Sequence, residues 1–211
     1  MAANSALLLV DIQNDFLPGG ALPVPEGDRV VPIANRLQAR FPLVIATQDW
    51  HPVAHRSFAA NWPGRQVGDV VEVAGLDQIL WPVHCVQDTP GAAFAPGLET
   101  TSIRHVARKG TCPDIDSYSG FFDNGHRHAT GLHDYLREQE ATQLYVLGLA
   151  TDYCVKFTVL DALELGYDTW LIEDGCRGVE LAPGDVRNAI DAMAAAGAHR
   201  VTSDRASPYR D

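Results

Sequence analysis

The segment LYVLGLATDYCVKFTVLDALELG, residues 144–166, changes its hydrophobic pattern part of the way along. Residues 144–149 form a short apolar run of the kind that makes a buried strand. From about Tyr153 to Leu165 the apolar side chains instead recur every three or four residues, which predicts a helix, and Gly166 stands where a left-handed residue commonly ends one. A buried strand that leads directly into a helix predicts one unit of a parallel sheet.

The same alternation recurs along the chain. Apolar runs predict five further strands, at residues 6–10, 43–47, 102–108, 169–173 and 200–202. Helical patterns between the strands predict three further helices, at residues 29–40, 131–138 and 183–196. Strands that alternate with helices predict an α/β fold, in which a six-stranded, mostly parallel sheet carries helices on both faces.

The length and composition favour one domain. The chain has 211 residues, of which 46% are hydrophobic and 20% charged, and a chain of this size buries a sizeable core without disulfide or metal support. No repeat or linker interrupts the pattern, so we expect residues 1–211 to form a single domain. Two stretches without periodicity, 51–69 and 110–127, are predicted to be functional loops, because structureless loops of this length are uncommon in compact domains.

The charge balance argues against two classes of partner. The chain has 16 Lys and Arg residues against 27 Asp and Glu residues, a net charge of −11 that repels both nucleic acid phosphates and anionic lipid. The apolar run at residues 6–10 is too short for a membrane span or for the core of a signal peptide. We therefore expect neither nucleic acid nor a membrane as partner, and the cytosol as the compartment.

Reactive side chains follow several of the predicted strands. In an open parallel sheet, ligands bind at the carboxyl ends of the strands. The residues that follow those ends carry acids, an imidazole, an amine and thiols: Asp11, Asp15, Asp49, His51, Lys109, Cys154, Asp174 and Cys176. We expect these side chains to converge at one edge of the sheet.

The cysteines are expected to be free thiols. They lie far apart without a C-x-x-C pair, which argues against a thiol-clustered zinc site: Cys85, Cys112, Cys154 and Cys176. Cys154 stands where a strand turns into a helix, and the positive helix end favours a thiolate there. The alternative is that Cys154 is a small buried hydrophobe.

An acid at one predicted strand end and an amine at another favour chemistry at Cys154. Asp11 and Lys109 supply the proton transfer and the positive charge that a nucleophilic thiol needs. The alternative is a structural ion pair, which is the commoner role of an isolated Asp and Lys.

A second group of residues has the donors of a metal site. Asp49 and His51 are two residues apart on extended chain, so their side chains point to the same side. His84 would complete a set of two histidines and one carboxylate that leaves coordination positions open. His55 and Ser57 are expected to support the metal through water rather than as direct ligands, and an Asp-x-His pair on its own is a weak signal.

Three aromatic residues are candidates for binding a flat ligand. Phe16, Trp81 and Tyr118 could form an aromatic slot, because aromatic rings pair in stacked or edge-to-face arrangements. Ordinary packing is the alternative for each of the three taken singly.

Several motifs together carry a family resemblance. In chain order they are VDIQNDF at 10–16, GG at 19–20, DWHP at 49–52, WPVHC at 81–85, KG at 109–110, YSGF at 118–121 and GLATDYCV at 148–155. On these motifs the chain resembles the nicotinamidases of the isochorismatase-like cysteine hydrolases over residues 6–204. The resemblance implies an isochorismatase-like fold and the hydrolysis of nicotinamide to nicotinate and ammonia, a step in pyridine nucleotide recycling.

The resemblance also implies a role for each candidate. Cys154 is the implied nucleophile that forms a thioester, Asp11 transfers protons, and Lys109 is the cation beside them. The implied peptide bond between residues 149 and 150 is cis, with the N–H groups of Ala150 and Cys154 as the oxyanion hole.

The same resemblance implies a cofactor and a substrate pocket. A divalent metal ion, zinc with iron or manganese as alternatives, is implied at Asp49, His51 and His84. The pyridine ring of nicotinamide would bind this ion and lie between Phe16, Trp81 and Tyr118. Pyrazinamide as a second substrate and a homo-oligomeric state are left open.

Other functions remain as alternatives. A sister hydrolase of the same fold would act on a carbamoyl or enol-ether substrate, and Cys154 and the metal donors argue against these. An iron-dependent oxygenase uses the same two-histidine, one-carboxylate set, but such enzymes are usually built on β-rich barrels. A protein that only binds a metabolite would make no use of Asp11, Lys109 and Cys154.

Overall fold

The structure, a computed structural model, describes residues 4–208. Within them lie eight strands and four α-helices: β1 (Ser5–Val10), α1 (Val30–Gln38), β2 (Leu43–Asp49), β3 (Val70–Val73), β4 (Leu76–Ile79), β5 (Ile103–Lys109), α2 (Leu132–Glu138), β6 (Gln143–Leu149), α3 (Lys156–Glu164), β7 (Asp168–Arg177), α4 (Asp185–Ala195) and β8 (His199–Val201). Six of the strands form one sheet in the order β5-β2-β1-β6-β7-β8. All five neighbouring pairs are parallel, so the predicted six-stranded α/β fold is confirmed and the sheet is parallel throughout.

The central strands explain why the sheet is covered on both faces. Every residue of β1 is buried, and so is every residue of β6 except the first, as expected for continuous apolar strands of a parallel sheet. The connection from β1 through α1 to β2 runs towards one edge, and that from β6 through α3 to β7 runs towards the other. Because such crossovers are right-handed, α1 and α3 lie on opposite faces.

The strand order reverses direction between β1 and β6, which places their carboxyl ends side by side. The two strands pair in parallel from Ser5 with Gln143 to Val10 with Gly148. Gly148 has a φ of 131°, and a Cβ there would overlap the carbonyl oxygen of Val10. Only glycine allows the backbones to approach this closely, at the point where open α/β sheets bind ligands.

The sequence did not predict the antiparallel hairpin of β3 and β4. The two strands pair from Val70 with Ile79 to Val73 with Leu76, around a turn whose residues Ala74 and Gly75 both have positive φ. An Ala at the first turn position lacks the Asn-Gly or Asp-Gly signal of such hairpins, and four-residue strands carry little periodicity.

The loops and the helix ends agree with the predictions to within a few residues, with one exception. The predicted helix from about Tyr153 begins as an α-helix only at Lys156, because Thr151–Val155 form a wider π-type turn. Gly166, with a φ of 89°, follows the end of α3 in the left-handed conformation that the sequence predicted. Among residues 4–208, no helix is both long enough and apolar enough to cross a membrane.

Candidate active site

A single buried amine joins the reactive side chains at the carboxyl edge of the sheet. Lys109, the last residue of β5, has its side chain fully buried. Its Nζ lies 2.9 Å from Asp11 Oδ2 and 2.5 Å from Asp49 Oδ1. The same Nζ donates to the Ser117 carbonyl at 2.9 Å and lies 3.3 Å from Cys154 Sγ. The structure therefore brings the predicted acid, amine and thiol together.

Strand register accounts for these contacts. Asp49 and Lys109 are direct neighbours on the paired strands β2 and β5, so their side chains share one face. Asp11 follows β1, and its carboxylate accepts a hydrogen bond from the Thr47 hydroxyl on β2 at 2.6 Å. The Thr47 hydroxyl in turn accepts from the Asp11 N–H at 3.2 Å, which fixes the acid against β2.

The three charged side chains have different proton affinities. Burial alone would lower the pKa of Lys109, but Asp11 and Asp49 outweigh it and raise that pKa well above its ordinary value. Burial alone would raise the pKa of Asp49, but Lys109 and His51 outweigh it and hold that pKa well below the usual range. Burial raises the pKa of Asp11, and Asp49 adds to the rise against Lys109. Asp11 is therefore the carboxylate of the pair that takes up a proton more readily.

Burial is the largest influence on the proton affinity of the Cys154 thiol. Burial raises its pKa well above the ordinary value, and Asp11 and Asp49 add to the rise against the opposing charge of Lys109. Burial therefore opposes the preference for a thiolate that the helix end predicts, because removal from water disfavours the sulfur anion. A nucleophilic role for Cys154 needs a base that accepts the thiol proton.

The turn that carries Cys154 starts with the peptide geometry that the resemblance implied. The bond between Leu149 and Ala150 is cis. The Ala150 carbonyl accepts hydrogen bonds from the N–H groups of Tyr153 and Val155, both at 3.1 Å. Ala150 and Cys154, which lie on this one turn of the chain, both line a cleft at the carboxyl edge of the sheet.

The predicted metal donors converge on one carboxylate oxygen. Asp49 Oδ2 lies 3.5 Å from His51 Nε2 and 3.7 Å from His84 Nε2. The Nδ1 atoms of these histidines lie 2.9 Å from the Gly110 carbonyl and 2.8 Å from the Pro82 carbonyl. Because a carbonyl only accepts, each Nδ1 carries the proton and each Nε2 presents a lone pair.

These distances fit a metal ion between the three donors. They exceed hydrogen-bond lengths, whereas donors that each lie about 2.0 to 2.2 Å from a shared ion are spaced in this way. All three side chains are buried. The set of Asp49, His51 and His84 can therefore hold a divalent metal.

His55 and Ser57 lie next to this set, and a further acid joins them. His55 is fully buried, its Nδ1 lies 2.7 Å from the Ser57 hydroxyl, and its ring centre lies 4.3 Å from that of His51. Burial is the main cause that lowers the pKa of His55 to about 4, so the ring is neutral. Within the described residues His55 Nε2 has no hydrogen-bond partner. The sequence missed Asp116, a donor atom of which lies within 4.8 Å of those on His51 and His55.

The three predicted aromatic residues line a cleft above the thiol. The cleft has a volume of about 370 Å³ including its open mouth, and Phe16, Trp81, Tyr118 and Cys154 all border it. The Trp81 Nε1–H donates to the Tyr118 hydroxyl at 3.1 Å, which joins two of its walls. Residues that the sequence analysis did not identify also line it: Leu22, Asp116, Tyr153 and Val179.

The comparisons with known proteins agree with this geometry. The sequence pattern of the isochorismatase domain matches residues 5–205. The chain is 55% identical to a nicotinamidase of Escherichia coli over 197 residues, which cover 92% of each chain. The chain belongs to the nicotinamidase family of isochorismatase-like hydrolases.

Solved structures of the nicotinamidase family share the fold. A nicotinamidase and pyrazinamidase of Acinetobacter baumannii has a TM-score of 0.92 and 45% identity, over 95% of this chain and 97% of that one. A pyrazinamidase of Pyrococcus horikoshii, described in complex with zinc, has a TM-score of 0.76 and 37% identity, over 94% and 99% of the two chains.

Three side chains that the sequence placed at this edge do not reach the cleft of this nicotinamidase-family protein. Asp174 and Cys176 lie inside β7, which continues to Arg177, because the strand is longer than predicted. Asp174 instead accepts hydrogen bonds from the backbone and the hydroxyl of Ser203. Asp15 accepts hydrogen bonds from the N–H groups of Ala21 and Cys85. It thus lies outside the reacting cluster, which consists of Asp11, Lys109 and Cys154. Of the residues missed, only Tyr153 had a sequence signal, its place beside Cys154 in the GLATDYCV motif.

Proposed function

We propose that this protein hydrolyses nicotinamide to nicotinate and ammonia through a thioester on Cys154. The observation that carries the proposal is that one buried amine, on Lys109, contacts the thiol, the carboxylate of Asp11 and the carboxylate of Asp49. The nucleophile, the proton acceptor and one of the metal donors therefore meet at one amine, and Cys154 and Asp49 line the cleft. The similarity to curated nicotinamidases supports the choice of substrate. The reaction would recycle pyridine nucleotides in the cytosol.

A metal ion would be held by Asp49, His51 and His84. We infer zinc, which a related pyrazinamidase is described to bind, and the same nitrogen and oxygen donors also suit iron or manganese. Held by these residues, the ion would act as a Lewis acid for the ring nitrogen of nicotinamide and so help to orient the ring. Pyrazinamide carries a ring nitrogen and a carboxamide in the same relation, so we propose it as a second substrate.

The protein's own residues orient the substrate ring. Phe16, Trp81 and Tyr118 offer apolar ring faces and edges to a flat heteroaromatic ligand. With the ring between them, the carboxamide reaches Cys154 at the base of the cleft. Holding the amide at the sulfur replaces a bimolecular encounter with a reaction inside one complex.

The first half of the reaction forms the thioester. Asp11 takes the proton from the Cys154 thiol as the sulfur attacks the amide carbon, and the rise in the pKa of Asp11 caused by its burial suits it to this transfer. The N–H groups of Ala150 and Cys154 stabilise the oxyanion. Asp11 then gives its proton to the amide nitrogen, the carbon–nitrogen bond breaks, and ammonia leaves.

The second half consumes one water molecule. The carboxylate of Asp11 takes a proton from the water as its oxygen attacks the thioester carbon. The carbon–sulfur bond breaks and the proton on Asp11 returns to Cys154, and nicotinate leaves once its carboxyl proton has passed to solvent. Lys109 stays charged throughout. Burial alone would lower its pKa, but Asp11 and Asp49 raise that pKa well above its ordinary value. The charged amine stabilises each sulfur anion as the anion forms.

Removing the metal is expected to stop ammonia release from nicotinamide. Treatment with a strong chelator should lower the rate of ammonia release by about 100-fold, because misplacement of a substrate relative to the catalytic group typically slows a reaction by about that factor. Zinc added back should restore the rate, which is followed by an ammonia assay beside elemental analysis of the protein. Benzamide, which lacks the ring nitrogen, serves as the control and should react poorly in both states. A fully active protein shown to contain no metal would remove the ion from the proposal.

Shortening the aromatic wall is expected to weaken substrate binding. Trp81→Phe loses the Nε1–H that bonds the Tyr118 hydroxyl, and the KM for nicotinamide should rise about two- to tenfold with kcat less affected. Trp62→Phe is the matched control, since Trp62 packs under Arg56 away from the cleft. Steady-state kinetics of both variants test this, and a fall in kcat at an unchanged KM would contradict it.

A further inference from the structure

Asp15 lies outside the reacting cluster but contacts the segment that carries His84. It belongs to the short 3-10 turn Asn14–Phe16 that follows β1. Its Oδ2 accepts a hydrogen bond from the Cys85 N–H at 2.7 Å, and its Oδ1 accepts from the Ala21 N–H at 3.3 Å. No step of the proposed reaction uses this carboxylate.

The peptide groups of Cys85 connect Asp15 to both histidine donors. Cys85 follows His84 directly, and its carbonyl accepts a hydrogen bond from the His51 N–H at 3.0 Å. Cys85 also has a φ of 45°, in the left-handed region where a residue with a side chain is strained and needs support from its surroundings. Asp15 on one side and His51 on the other supply that support.

The Asp15 carboxylate is itself fixed in place by Gly91. A Cβ at Gly91 would overlap Asp15 Oδ2, so the carboxylate lies directly against bare backbone. His84 completes the arrangement, because its Nδ1 bonds the Pro82 carbonyl two residues before it at 2.8 Å. The direction of the His84 ring therefore depends on the backbone between Pro82 and Cys85, and Asp15 anchors one end of that backbone.

Gln13, two residues before Asp15, holds the backbone of Asp49, the third metal donor, in a similar way. The Gln13 amide donates to the Asp49 carbonyl and accepts from the Asp49 N–H, both at 2.8 Å. A side chain here provides the two hydrogen bonds that a neighbouring strand would otherwise provide. The segment after β1 thus secures the backbone of Asp49 through Gln13 and that of His84 through Asp15.

We propose that Asp15 is a positioning residue of the metal site, which holds the His84–Cys85 backbone so that His84 Nε2 faces Asp49 and His51. The inference rests on the proposed metal site. Groups of this kind, which do not touch the ion but orient its ligands, typically change metal affinity by 10- to 100-fold when removed.

The test measures zinc affinity and does not depend on activity. Protein stripped of metal is titrated with zinc in competition with a chromophoric chelator, and the Tm of the stripped protein is recorded beside it. Asp15→Ala should raise the zinc Kd about 10- to 100-fold. Asp15→Asn should bind closer to the parental protein, since its carbonyl still accepts from the Cys85 N–H. Asp28→Ala is the matched control, an exposed acid without a side-chain bond to any residue of 4–208, and should not change the Kd.

Two results would overturn the inference. If Asp15→Ala lowers the Tm of the stripped protein and binds zinc as tightly as the parental protein, Asp15 is structural only, and the proposed function stands. If the parental protein binds no zinc, the proposed metal site is wrong, and the inference about Asp15 is wrong with it. Should Asp15→Ala not fold, Gly91→Ala places a methyl group where the carboxylate lies and should weaken zinc binding likewise. Parental affinity in Gly91→Ala would then contradict the proposal.

Discussion

Cys154→Ala is expected to lower the rate of nicotinamide hydrolysis by about 10⁴-fold or more, because removal of the nucleophile from a catalytic unit leaves only binding and oxyanion stabilisation. The fold should survive, since the change removes one atom from a residue that is already small. The rate is followed by ammonia release, with the metal content of the variant measured beside it. We expect the metal content to match the parental value, because Cys154 is not among the proposed donors.

Cys176→Ala provides the matched control for this variant. Cys176 is also a buried free thiol near the carboxyl edge of the sheet, but its Sγ bonds the Ile172 carbonyl at 3.4 Å. Loss of this thiol should leave hydrolysis close to the parental rate. In the parental protein, rapid acid quenching and mass spectrometry should detect a nicotinoyl adduct on Cys154. A Cys154→Ala variant that hydrolyses nicotinamide at a near-parental rate would rule out the thioester route.

Lys109→Met is expected to destabilise the metal-free protein by roughly 3 to 5 kcal/mol at neutral pH, the usual cost of leaving a buried charge unpaired. The variant leaves Asp11 and Asp49 side by side without the cation that both contact. Hydrolysis should also be lost, because the sulfur anion of Cys154 loses its nearest positive charge. Urea unfolding of chelator-treated protein measures the stability.

The loss of stability in Lys109→Met should grow as the pH rises. Without Lys109, burial and Asp49 raise the pKa of Asp11 unopposed, so the folded protein holds a proton that the unfolded chain releases. Stability from such a raised pKa is present below the unfolded value and is lost as pH climbs through the folded value. The difference from the parental protein should therefore be larger at pH 8 than at pH 5.

Arg108→Met is the control for the charge change. Arg108 is the neighbour of Lys109 on β5, and its guanidinium lies 3.9 Å from the ring centre of Trp50 rather than beside the carboxylates. It removes the same charge from the same strand, and its effect on stability should be small and nearly independent of pH. Equal destabilisation of Lys109→Met at pH 5 and pH 8 would show that the two carboxylates are not coupled through the amine.

Much of the fold and the donor residues could be predicted from local pattern. Short apolar runs between helical segments predicted all six strands of the main sheet. The signal is clearest for β1 and β6, because a strand buried on both faces must be apolar throughout, whereas the edge strands β5 and β8 carry exposed polar residues. The position of a side chain just after such a run then predicted which residues reach the carboxyl edge, as for Asp11 and Lys109. The same reasoning failed for Asp174 and Cys176, since strand length depends on pairing with neighbours that the local pattern does not contain.

The sequence by itself determined the order of the four helices and of the six strands of the main sheet, and which reactive side chains follow those strands. Only the tertiary structure decided which of those side chains contact one another and how each contact changes their pKa values. Burial raises the pKa of the Cys154 thiol although a helix end and Lys109 lie beside it, and Asp15 accepts a hydrogen bond from the Cys85 N–H next to His84 instead of joining the reacting groups. The reason is physical: solvent exclusion and the distances between charges depend on segments that meet only in the folded chain, and these two quantities set proton affinity and ligand direction.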